Sequence, residues 1–130
     1  MSRRGAMLCA VLALAVLTDA PVAAAPGDMA VLQGLDKVTA RISTFEIPVG
    51  AAGIFGTLAI TVLACDRTPP EDPPERSAYL EIDDRRSGAA ALRVFEGWMF
   101  ASSPALNALE HPVYDVWVTD CKISSGAQSE

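Results

Sequence analysis

The stretch SAYLEIDD, residues 77–84, places Ala78, Leu80 and Ile82 at every second position, with Glu81 and Asp83 between and after them. Successive side chains of a strand point to opposite faces, so this alternation predicts a half-buried strand. Its apolar row faces inward and its carboxylates face water. A helix would need apolar positions three and four apart, and that spacing is absent here. Because residues 77–84 read so clearly as a strand, the flanking segments are best tested for the same period.

They repeat it. TLAITVLAC, residues 57–65, carries Leu58, Ile60, Val62 and Ala64 in the inward phase and ends on Cys65. MAVLQGLDKV, residues 29–38, reads as a first strand, with Gly34 as a bulge or bend. In VTARISTFEIPVG, residues 38–50, Val38, Ala40 and Ile42 share one phase, then Phe45, Ile47 and Val49 take the other. That switch predicts a second bulge or a strand covered on both sides. Pro48 has no N–H to donate, which confines the end of this strand to a sheet edge or a turn. Gly50, Gly53 and Gly56 read as turn residues, and DRTPPEDPPER, residues 66–76, with four prolines and six charges, reads as an exposed extended loop. After the turn DRRSGAA come ALRVFEGWMF, residues 91–100, and VYDVWVTDC, residues 113–121, two further strands. About seven short strands at hairpin spacing predict a mainly β protein, a small antiparallel β-sandwich or barrel.

One short helix is expected near residues 103–110. Ser103 followed by Pro104 is a helix-start signature, Leu106 and Leu109 are spaced to face the core, and Pro112 ends the segment. His111, biased to extended geometry by the proline after it, reads as a surface or cap residue.

The N-terminus has the three parts of a secretory signal peptide: Arg3 and Arg4, an apolar run from Ala6 to Leu17, then small residues with Val22 and Ala24 placed for cleavage after Ala24. The apolar run is too short to span a bilayer, which takes ~20 residues. Export to the periplasm is therefore the expectation, with residues 1–24 removed, residues 25–29 a flexible lead, residues 30–121 a single β-domain and residues 122–130 a disordered tail. No integral membrane segment would remain after cleavage. Removal of the leader leaves eight basic and fifteen acidic residues, a net charge of −7. Such a chain offers no basic stripe for phosphates, which argues against nucleic-acid binding.

Cys9 leaves with the leader. Cys65 and Cys121 remain, and an even pair in an oxidising compartment is most simply one disulfide. No Cys-x-x-Cys spacing occurs and a lone histidine cannot complete a four-ligand zinc site, so neither metal nor cofactor is expected.

Aromatic residues crowd around the expected helix: Trp98 and Phe100 before it, Tyr114 and Trp117 after it. These four form a candidate binding face at one end of the domain. Trp98 is the one best suited to a partly exposed groove, because Gly97 beside it permits close approach of a backbone. The competing chemistry is a hydrolase with Ser102 or Ser103 as nucleophile, His111 as base and Asp115 as orienting acid. No nucleophile elbow surrounds the serines, so no catalytic residue is assigned.

Taken together, VLQGLDKVTARISTFEIPVG, FGTLAITVLAC, YLEID and VFEGWMFASSPALNALEHPVYDVWVTDC resemble the alphaproteobacterial domain-of-unknown-function 2155 family over about residues 30–121. The resemblance implies a secreted periplasmic protein and carries no established activity or catalytic residues. The expected role is a non-enzymatic binding or accessory domain that engages an envelope protein or ligand.

Overall fold

The computed structural model describes residues 25–86 and 89–123. The expected leader, the tail beyond Ile123, and Ser87 and Gly88 of the turn lie outside the described residues. Among the described residues eight strands follow one another: β1 Ala25–Pro26, β2 Met29–Asp36, β3 Arg41–Pro48, β4 Ala52–Phe55, β5 Leu58–Arg67, β6 Arg76–Asp84, β7 Leu92–Phe100 and β8 Tyr114–Lys122. All pairings are antiparallel. One sheet runs β1-β5-β6-β7 with β4 also on β5, and the other runs β3-β2-β8. The two do not close into a barrel; the fold is a sandwich of about seven full strands, β1 being only two residues long.

The alternation read from residues 77–84 holds through β6, where Ala78, Leu80 and Ile82 are fully buried. They join Leu58, Ile60, Val62, Phe95 and Met99 on the inner face of the larger sheet. Ala30, Leu32, Ile47, Val116 and Val118 oppose them from the smaller one. Burying two such apolar faces against each other is the main stabilising term of a sandwich.

Two bulges decide where the cysteines point. In β5 the pairing with β6 skips Leu63, so Val62 opposes Leu80 and Ala64 opposes Tyr79. In β8 the pairing with β2 skips Thr119, so Leu32 opposes Val118 and Val31 opposes Asp120. Each extra residue reverses the strand's phase. Cys65, three positions after inward Val62, and Cys121, three after inward Val118, therefore both turn into the core, where both are buried. Their Cα atoms lie 5.7 Å apart and the disulfide joins the two sheets. Ala64, expected inward, loses that place to Cys65, and Leu63 is left 45% exposed.

Several expectations are corrected by the tertiary contacts. The register of β2 with β3 is unbroken from Met29–Pro48 to Asp36–Arg41, so no bulge accounts for the phase switch in residues 38–50. Val38 and Ala40 belong to the turn before β3, in which Asp36 Oδ1 accepts the N–H groups of Val38 (2.9 Å) and Thr39 (3.2 Å). Ile42 lies on the solvent face. Gly34 is not a bulge but stands in register opposite Ser43 and Val116, and the Phe55 ring lies 2.6 Å from where its Cβ would stand. Gly53 is not in a turn but inside β4, against Ile47. Residues 25–29, expected as a lead, carry backbone pairing. Ala25 and Pro26 pair with Arg67 and Asp66, and the Gly27 N–H donates to the Cys65 carbonyl at 2.8 Å. Lys122, expected in the tail, is the last residue of β8.

The expected helix shrinks to one 3-10 turn, Pro104–Leu106. Ser103 makes no side-chain cap, Leu106 is 70% exposed, and Leu109 alone enters the core. A segment this short has no second turn to carry both leucines to one side. Among the described residues no helix is long and apolar enough to cross a membrane.

Candidate functional site

His111 stands at the end of the segment that follows β7. Far from being a surface residue, it is 5% exposed. Its Nδ1 accepts the N–H groups of Val113 (3.0 Å) and Tyr114 (3.2 Å), which places the ring proton on Nε2. That Nε2–H donates to Asp84 Oδ2 at 3.0 Å. Asp84 is the last residue of β6 and is 3% exposed. Arg86 donates to the same oxygen from Nε at 2.9 Å. The hydrogen bond from His111, then that from the Thr57 hydroxyl, hold the Asp84 carboxyl down at about 2 against an ordinary 3.8. Oδ1 is closed off from solvent and takes no hydrogen bond of good geometry. The pair is a clasp between the end of β6 and the entry to β8.

The residues of the hydrolase reading are dispersed into separate contacts. Both nitrogens of His111 are engaged, so neither is presented to a serine. The Ser102 hydroxyl and N–H both bond Glu75, and the hydroxyl is the main cause of that carboxyl's lowered pKa. Ser103 contributes its backbone to the turn. Asp115 pairs with Lys37 at 2.8 Å, and Lys37 also donates to the His111 carbonyl at 2.9 Å. Among the described residues no three His, Cys, Asp or Glu side chains gather as a metal would require.

The four candidate aromatics do not share one face, because they belong to different sheets and phases. Tyr114 is in phase with buried Val116 and Val118 and packs edge-on against Phe55, with ring centroids 5.4 Å apart. Phe55 in turn stacks on Phe45 at 5.4 Å. Trp117, three positions on, faces outward from the smaller sheet. With Pro104, Ala105, Ala108 and Leu109 it lines a groove of about 270 Å³. Trp98 and Phe100 face outward from the larger sheet, in the phase opposite to Phe95 and Met99.

On that outer face the register sets Tyr79 opposite Trp98 and Glu81 opposite Glu96. Tyr79 and Trp98 meet edge-to-face at 5.5 Å, and Trp98 remains 37% exposed. Gly97 contributes in its own way. At φ +155° it has no side chain, and the Asn107 amide fills the space, donating to the Trp98 carbonyl at 2.8 Å. Arg93 bonds Asp83 at 2.6 Å and reaches Glu81 and Glu96 at 3.4 Å each. The Asp83 hydrogen bond foremost raises the guanidinium's pKa further.

Asp84 is the residue that sequence reading missed. It continues the inward row Ala78, Leu80, Ile82 by simple parity, against the usual preference of a carboxylate for water.

No solved structure matches this chain. An uncharacterized protein of Rickettsia prowazekii (strain Madrid E), RP359, is 30% identical over 89 residues, which cover 67% of this chain and 56% of that protein. The chain thus spans little more than half the length of that relative. A family model matches residues 30–121, the interval from the first buried residue of β2 to the disulfide's second cysteine. On that match, the chain belongs to the family described as uncharacterized protein conserved in bacteria, DUF2155.

Proposed function

We propose that this protein is an exported, periplasmic binding or accessory domain without catalytic chemistry, and that it engages an envelope partner through the outer face of β6 and β7. The observation that carries the reading is Trp98. A large aromatic side chain is left partly in solvent on the outer sheet face, against Tyr79. Aromatic groups so placed supply much contact area at low conformational cost, which favours them at interfaces. Export is supported by the leader-like layout of residues 1–24 and by the buried Cys65–Cys121 bridge, since such bridges persist in oxidising compartments.

The test is complementation of a strain lacking the protein, combined with fractionation. Trp98→Ala is expected to abolish rescue at unchanged protein level, while Ser102→Ala and Ser103→Ala rescue fully, with the protein in the periplasmic fraction. Full rescue by Trp98→Ala alongside loss through either serine refutes the proposal.

A further inference from the structure

The outer face of the larger sheet carries a pattern that folding alone does not call for. Glu81 and Glu96 stand directly opposite each other on neighbouring strands, an arrangement that costs stability. Arg93 is the cation that answers them, and it is shared with Asp83. Three carboxylates thus face one guanidinium. In the adjoining row lie Tyr79 and Trp98, and the β5 bulge next to Tyr79's strand leaves Leu63 exposed, two strands from Trp98. The face is an apolar and aromatic strip bordered by negative charge that one guanidinium offsets only in part.

We propose that this face receives a basic, extended stretch of another polypeptide, one lysine or arginine lying on the Trp98–Tyr79 pair with its charge against Glu81 and Glu96. The inference rests on the binding role above and adds the partner's chemistry. Cations are drawn to aromatic faces, most strongly to tryptophan, and the neighbouring carboxylates add direct attraction. Charge complementarity selects this occupant over the others. A second copy of the exported chain brings a net charge of −7 and the same acidic face, and an anionic lipid surface is repelled for the same reason. The groove beside Trp117 has no such preference, because its Asp115 is already paired with Lys37.

The experiment is fluorescence anisotropy with labelled extended peptides that alternate valine with lysine, serine or glutamate, added to the purified full-length protein. The lysine peptide is expected to bind roughly tenfold or more tighter than the serine peptide, and the glutamate peptide not at all. Binding should fade at about 0.5 M salt, where charges more than ~5 Å apart are screened. Trp98→Ala and, separately, the double variant Glu81→Gln/Glu96→Gln should each weaken the lysine peptide by roughly tenfold. The double variant removes the opposed charges, so its thermal unfolding should be unchanged or improved, which separates lost binding from lost fold. Equal binding of lysine and serine peptides, or undiminished binding by Glu81→Gln/Glu96→Gln, overturns the inference. So does occupation of the face by phosphatidylglycerol vesicles, or by self-association that the lysine peptide cannot displace. Loss of rescue in Trp98→Ala together with equal binding of the peptides would remove the basic partner yet leave the binding role standing.

Discussion

Replacing Asp84 by asparagine keeps the side chain's shape and removes its charge at the point where the end of β6 is held to the entry of β8. In the wild type, Asp84 Oδ2 takes bonds from His111 Nε2 and Arg86 Nε, at 3.0 and 2.9 Å. The carboxyl is held at about 2 against 3.8. At ~1.4 kcal/mol per pKa unit the full effect would approach ~2.5 kcal/mol. Arg86, one of its partners, is itself largely in solvent, which weakens that contact, so about 1–2 kcal/mol is the reasonable size. For a domain of this length that lowers Tm by roughly 4–16 °C. The sign follows from the folded state's lower pKa: the stabilisation is complete above the unfolded value of 3.8 and is lost as pH falls through about 2. Urea titrations followed by tryptophan fluorescence, with the disulfide intact, should therefore show Asp84→Asn less stable at neutral pH. The two proteins should converge between about pH 4 and about pH 2. An undiminished gap across that interval, or none at neutral pH, refutes the charged clasp.

Gly34→Ala should destabilise by about 1–3 kcal/mol, because the new methyl meets the Phe55 ring at 2.6 Å and disturbs its stacking on Phe45; equal urea midpoints for the two proteins would show that the ring moves freely. Replacing Cys65 and Cys121 together by alanine removes a link between residues 56 positions apart, which the chain-entropy account values at about 4 kcal/mol. Mass spectrometry after alkylation of the native wild-type protein should find both sulfurs protected, and modification before unfolding would contradict the buried bridge.

How much of this was legible in advance depends on the range of the interaction involved. Residues 77–84 announced their strand because alternation is a property of the chain itself. The same rule carried to Asp84 places that carboxylate inward, though it does not name His111 as its partner. The phase of Cys65 was not legible: it depends on Leu63 being skipped by β6, a choice made by the cross-strand partner. Val38, Ala40 and Ile42 matched the strand period, yet the turn held by Asp36 claims the first two and open solvent the third. Closeness in sequence groups the aromatics, whereas Trp98 and Trp117 belong to different sheets.

The amino-acid sequence by itself determined the mainly β class, the order of the long strands, the exposed proline-rich loop and the two cysteines available to pair. All of these follow from local periodicity and residue chemistry. Only the tertiary structure decided that both sulfurs turn inward, that the histidine is consumed by a buried aspartate, and that Trp98 faces solvent beside opposed carboxylates. Those outcomes depend on register, and register is set between strands distant in the chain, where one skipped residue sends every later side chain to the other face.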